Sequence, residues 1–150
     1  VQTFPTGKRP RAILFTKDSN TAFVSDQMDG TVSFFSPQTQ QVLGTLKIEG
    51  KGPIGARPMG LALSPDEKQL FVSTGRGGSV GVVDVAARKL THLIEDGGAR
   101  PWGIALASDG KQLFSANGSS DDWSIIDVKS GRVERKVTIG GLPWGVVTGR

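Results

Sequence analysis

The sequence predicts an all-β fold built from repeated four-stranded antiparallel sheets, and three observations carry that prediction. The phrase "GARPMGLALSPDEKQLFVSTG" (Gly55 to Gly75) returns 43 positions later as "GARPWGIALASDGKQLFSANG" (Gly98 to Gly118), with 13 of 21 aligned residues identical. Its landmarks recur in phase: Arg9-Pro10, Arg57-Pro58, Arg100-Pro101 and a clipped Leu142-Pro143 are spaced 48, 43 and 42 residues apart. Asp18, Asp66 and Asp109 follow their prolines by eight residues, and Phe23, Phe71 and Phe114 by thirteen. Between landmarks lie short apolar runs bounded by turn residues, which is strand chemistry at a repeat period.

Each unit divides into four strands. In the third they are expected at Gly103 to Ala107, Gln112 to Ala116, Trp123 to Val128 and Arg132 to Ile139. The "SDGK" turn joins the first pair, with Gly110 able to take the positive φ that a bulged hairpin needs. Asn117-Gly118 and Ser130-Gly131 punctuate the later joints. Runs such as "GIALA" and "SIIDV" are apolar almost throughout, as strands are when both sheet faces are covered. Ser36, Asp84 and Asp127 each lie 26 residues past their proline, so the five extra residues of the first unit fall in "IEGKGPIGA".

One segment admits a rival reading. "DVAARKLTHLIED" (Asp84 to Asp96) spaces Val85, Ala86, Leu90, Leu93 and Ile94 nearly as a helix would. Its repeat equivalents, "SPQTQQVLGTLKI" and "DVKSGRVERKVTI", carry proline or glycine and β-branched residues, so a turn followed by a strand is expected. Four strands in 40 to 45 residues is the signature of a propeller blade.

The expected blades are 8–50, 56–98 and 99–141. "VQTFPTG" (1–7) reads as the outer strand of a preceding blade, and 142–150, with "PWGVVTG", as an inner closing strand. Three blades are fewer than the four to eight of closed rings. The expectation is therefore the C-terminal part of a longer, seven-bladed ring, or several copies that close one together.

The pattern of Arg-Pro, a Gly-led apolar strand, a Ser-Pro-Asp-like turn, "FVSD", "FVST" or "FSAN", then "SVGVVD" resembles the YVTN-type β-propeller repeat, with Phe in place of its Tyr. "RPWGIAL" and "LPWGVV" are similar to propellers associated with pyrroloquinoline-quinone-dependent catabolism. The resemblance implies a periplasmic or extracellular binding protein that serves quinone-dependent oxidation.

Composition narrows the chemistry. The 150 residues are 37% hydrophobic and 21% charged, with a formal charge of +4. Basic residues are scattered among acidic ones, so nucleic-acid binding is not expected. No run reaches the roughly 18 apolar residues of a membrane span. Cysteine and tyrosine are absent and histidine occurs once. No cofactor or metal is expected of such a set. The chain begins at Val1, so an upstream leader or further repeats are expected, and the missing leader does not argue for the cytoplasm.

The family resemblance implies a channel rim that carries Arg9, Arg57 and Arg100, with Arg11, Met59, Trp102 and Trp144 just inside. Guanidinium groups beside indoles could hold a carboxylate, a phosphate or a partner's acidic loop. The competing reading, favoured because the residues repeat in every unit, has Arg bracing the turn and Trp packing between blades. The unequal loops Asp26 to Gly30, Thr74 to Gly78 (with Arg76) and Asn117 to Asp122 suit binding elements on a constant scaffold. Arg76 and Asn117 therefore join Arg9, Arg11, Arg57, Arg100, Trp102 and Trp144 as candidate ligand contacts.

Other signals are weaker. "SSDD" invites a calcium reading, but the spaced ligand pattern is lacking and a solvated turn is expected. "GRGGSVG" lacks the GK[ST] element of a phosphate loop. His92 is expected to face solvent on an outer strand. Asp18, Asp66 and Asp109 are expected to cap turns. No catalytic constellation can be assembled. The expected function is a non-catalytic binding platform for a protein partner or a small anion. The alternative is the propeller portion of an enzyme, a lactonase-like hydrolase or a quinohaem or haem redox subunit. A third class is a structural cell-surface array.

Overall fold

The computed structural model describes residues 4–51, 53–95 and 98–149, and twelve strands in them form three four-stranded sheets. The first sheet contains β1 (Pro10–Phe15), β2 (Ala22–Asp26), β3 (Thr31–Ser36) and β4 (Gln41–Lys47). The second contains β5 (Leu61–Leu63), β6 (Gln69–Ser73), β7 (Val80–Asp84) and β8 (Lys89–Ile94). The third contains β9 (Pro101–Leu106), β10 (Gln112–Asn117), β11 (Asp122–Asp127) and β12 (Arg132–Thr138). Each is a simple antiparallel meander in sequence order. The only helical element among the described residues is a 3-10 turn at Gly75–Gly77.

The core lies between the sheets. Phe23, Val32 and Phe34 of the first sheet meet Leu70, Val72 and Val83 of the second. Phe23 and Phe34 pack edge to face at 5.4 Å, a geometry that aromatic quadrupoles favour. On its other face the second sheet presents Phe71, Val80 and Val82 to Ile104, Leu113 and Ile126 of the third. Alternation along β6 thus sends Leu70 one way and Phe71 the other. Phe114, the repeat equivalent of Phe71, is only half-buried, because no further sheet packs on the third one among the described residues.

The turns repeat as closely as the strands. At nine, twenty and thirty residues past each proline the chain takes a left-handed conformation: Ser19, Gly30 and Gln40; Glu67, Gly78 and Arg88; Gly110, Asp121 and Gly131. Gly110, at φ 72°, takes the conformation expected of it. A register shift also recurs where the third strand meets the fourth, at Phe34/Phe35, Val82/Val83 and Ile125/Ile126. Such bulges increase the local twist that lets neighbouring sheets stack face to face.

The helical alternative at Asp84 to Asp96 is excluded for the described part. Asp84 Oδ1 accepts from Ala87 N at 2.8 Å, Arg88 stands at φ 51°, and β8 follows. Asp127 caps its turn in the same way, accepting from Ser130 N at 2.7 Å. Asp96 lies outside the described residues.

At the chain ends, Phe4–Gly7 carry no strand, and the Phe4 ring lies 4.4 Å from that of Phe35. Residues 1–3 and 150 lie outside the described residues. Residues 142–149 carry no assigned strand. Even so, Gly103 N donates to Trp144 O at 3.0 Å, as Gly60 N donates to Trp102 O at 3.0 Å. The last segment therefore lies beside β9 as β9 lies beside β5.

Candidate functional site

Serine hydroxyls hold the inner edges of adjacent sheets together. Ser25 Oγ accepts from Ala12 N at 3.0 Å and donates to Met59 O at 2.7 Å, joining β1 to the stretch before β5. Ser73 Oγ accepts from Gly60 N at 2.8 Å and donates to Trp102 O. These contacts draw the residues after each Arg-Pro toward a common axis.

There the chain forms a cleft of about 530 Å³. Arg9, Arg11, Arg57, Arg76 and Arg100 line it, together with Trp102 and Trp144. Seven of the eight candidate ligand contacts therefore converge on one site. A smaller hollow of about 260 Å³ shares Arg11, Met59, Trp102 and Trp144, and is walled by Pro10, Ala12, Gly60 and Gly103 of the inner strands.

Each guanidinium reaches the cleft for a local reason. Arg9 and Arg100 precede proline yet stand at φ 58° and 61°, a left-handed conformation that sequence alone disfavours. Their carbonyls accept from Gln27 N at 3.1 Å and Gly118 N at 3.3 Å, which anchors that conformation. Arg57 is not among the left-handed residues; the inserted connection before it turns at Gly55 (φ 66°) instead. Its backbone N then reaches Thr74 O at 2.8 Å and its Nη1 donates to Met28 O at 2.8 Å. Arg57 is thus both a brace between sheets and a wall of the cleft. Arg76 is exposed at the tip of the 3-10 turn, which closes so tightly on Arg57 that a Cβ at Gly75 would sit 2.8 Å from the Arg57 carbonyl oxygen.

Arg100 lies over the Trp102 ring at 4.8 Å, and the Trp102 and Trp144 centroids are 3.9 Å apart. Cation and two indoles that meet edge-on form one surface. The Nε of Arg100 and the Oε1 of Gln27 are shielded from water and have no hydrogen-bond partner among the described residues. Five guanidinium groups share the cleft and no carboxylate appears among the described lining residues, so the cleft concentrates positive charge.

Asn117 is the candidate that the structure places elsewhere. It is fully buried, donates to Asp122 Oδ1 at 2.7 Å and Ser124 Oγ at 2.9 Å, and accepts from Ser115 Oγ at 2.9 Å. It ties β10 to β11 inside the third sheet. Asp122 corrects the solvated-turn reading of "SSDD": it is buried at the start of β11, bonded to Asn117 and 3.7 Å from Lys136 Nζ. Asp121 accepts from Leu142 N at 2.7 Å. Among the described residues no three His, Cys, Asp or Glu side chains gather as metal ligands would. His92 is exposed on β8, 3.0 Å from Thr91 Oγ1. Asp18, Asp66 and Asp109 accept from backbone N–H groups in their turns.

Gln27, Met28 and Gly75 also line the cleft and lie in the loops Asp26 to Gly30 and Thr74 to Gly78 expected to bind, whereas Ile54, on the inserted connection, is not among the expected contacts. All four sit on the stretches that break the repeat, and that irregularity was their signal.

No helix among the described residues is long and apolar enough to cross a membrane. No curated protein matches the chain. Solved structures do. Hydrazine synthase of Kuenenia stuttgartiensis superimposes with a TM-score of 0.81 at 25% identity, over 95% of this chain and 39% of that one. The periplasmic gluconolactonase of Pseudomonas aeruginosa gives 0.74 at 25% identity, over 93% and 42%. A putative 6-phosphogluconolactonase of Bacteroides fragilis gives 0.75 at 22% identity, over 93% and 41%. The chain therefore spans about two fifths of the length of these proteins. Residues 1–140 match the family described as "Lactonase, 7-bladed beta-propeller", and with three stacked four-stranded meanders the chain belongs to that family of seven-bladed lactonase propellers.

Proposed function

We propose that this chain contributes an anion-binding arc to the channel rim of a propeller that acts as a binding platform. The observation that carries this reading is the convergence of five arginines on one cleft beside Trp102 and Trp144, with no carboxylate among the described lining residues. Guanidinium forks pair bidentately with carboxylates and phosphates. Titration with citrate, followed by indole fluorescence at low salt, tests it. Saturable quenching that Arg100→Gln weakens supports the reading, and no saturable change up to millimolar citrate overturns it.

Lactone hydrolysis is the second reading, favoured by the family match over residues 1–140 and by the gluconolactonase among the similar structures. On this reading the described arc binds the substrate's anionic group, and the general base comes from other blades. Turnover of a phosphorylated gluconolactone, whose phosphate supplies the anionic group, by the ring-forming protein tests it directly.

Two further proposals accompany the binding reading. Ring closure by additional sheets is supported by apolar side chains left exposed on the first sheet: Ile13 is 58% exposed and Phe15 48%. A periplasmic or extracellular location, and service to quinone-dependent oxidation, rest on the resemblance carried by "RPWGIAL" and "LPWGVV". Fractionation of cells expressing the full reading frame checks the location.

A further inference from the structure

We infer that the occupant of the arginine cleft is an extended acidic peptide segment of a partner protein, carrying apolar side chains between its carboxylates. This inference rests on the anion-binding reading and narrows it.

Three observations favour a peptide. The first is the chemistry of the walls. Met28 (50% exposed) and Ile54 (48% exposed) stand beside the guanidinium groups, so the cleft alternates cationic and apolar surface. Arginine, methionine and tryptophan are the side chains enriched at the centres of protein interfaces, where charged pairs are orienting and apolar anchors supply the affinity. A small hydrophilic anion would leave Met28 and Ile54 without a use.

The second is the pair of unmet hydrogen-bonding atoms. Arg100 Nε is a donor and Gln27 Oε1 an acceptor, both unpaired on the same cleft. An unpaired shielded group carries an uncompensated desolvation cost, which a ligand recovers by pairing it. A peptide backbone brings one acceptor and one donor per residue, so when the two side chains pivot toward it a single segment satisfies both.

The third is where the variation lies. Met28, Ile54 and Arg76 come from the two irregular loops and the inserted connection, not from repeated positions. Lys51 N donates to Gly77 O at 3.2 Å, which ties that connection to the turn carrying Arg76. Loops that vary on a constant scaffold set which partner is accepted.

The test uses a blocked heptapeptide of alternating Glu and Leu, titrated into the chain at about 50 mM salt, where exposed charges are weakly screened, with indole fluorescence as the readout. The expected result is saturable binding that loses at least tenfold in affinity when every Leu becomes Gly, and at least tenfold when every Glu becomes Gln. Arg76→Gln, whose side chain is exposed and braces no neighbour among the described residues, is expected to weaken the peptide about fivefold while the melting temperature stays unchanged. If the Leu-to-Gly peptide and citrate bind as tightly as the parent, the peptide inference is overturned while the anion-binding reading stands. If neither peptide nor citrate binds, both are overturned.

Discussion

The hydroxyl of Ser73 bridges two sheets, accepting from Gly60 N at 2.8 Å and donating to the carbonyl of Trp102. Ser25 does the same one blade earlier, from Ala12 N to Met59 O. In the third sheet the equivalent position is Ala116, so the contact between Gly103 N and Trp144 O stands without a hydroxyl beside it. These bridges set how closely the arginine-bearing turns approach one another.

Ser73→Ala is therefore expected to lower unfolding stability by about 1 kcal/mol, the usual worth of one buried neutral hydrogen bond. Ala116→Ser should gain a similar amount by completing the series. Urea denaturation with an unchanged slope measures both. A neutral Ser73→Ala would show that the bridge carries no stability.

Left-handed turn positions make a second pair of tests. Ser19 stands at φ 58° with a side chain, whereas Gly131 fills a different left-handed turn position at φ 64° without one. Ser19→Gly should stabilise by about 1 kcal/mol and Gly131→Ala should destabilise by about the same, since the left-handed conformation penalises a Cβ by roughly that amount. Opposite signs in thermal melts are required.

Acid sensitivity follows from the turns. The carboxyls of Asp18, Asp66 and Asp127 are held below their ordinary value of 3.8, chiefly by hydroxyl donors from Thr16, Ser64 and Ser130 respectively. A carboxyl whose value falls on folding stabilises the fold above 3.8 and loses that contribution as pH drops through the lower folded value. The melting temperature should thus decline below about pH 4, and less steeply in a Thr16→Val, Ser64→Ala double variant. Identical acid profiles for the parent and the double variant would remove the hydroxyl donors as the cause.

Core positions of identical sequence phase should differ in cost. Phe71, 1% exposed, packs against the third sheet, while Phe114 is half-buried. Phe71→Ala is expected to cost about 3–5 kcal/mol and Phe114→Ala clearly less. Equal losses would mean that the face of Phe114 is as fully covered in solution as that of Phe71.

The two roles of the rim arginines can be separated. Arg57→Gln should weaken citrate and also lower stability by about 1 kcal/mol, because Arg57 Nη1 bonds Met28 O. Arg76→Gln should weaken citrate alone. Calorimetric titration and a thermal melt on each variant provide the comparison.

Strand order, turn positions and the rejection of a helix after Asp84 were all legible in the sequence, because each depends on local chemistry repeated in phase. Pro58, Asp66, Phe71 and Asp84 carry the same backbone instructions as Pro101, Asp109, Phe114 and Asp127. The burial of Asn117 was not legible, since a polar residue at a strand end reads as a loop contact until Ser115, Asp122 and Ser124 are seen to saturate it. Nor was the double duty of Arg57 or the entry of Ile54 into the cleft, both consequences of the connection inserted before Pro58. Local hydrogen bonding and side-chain alternation act over a few residues, so one chain's letters suffice to specify them. Which side chains share a cleft depends on how whole sheets stack, and that distance of about fifty residues is crossed only by packing.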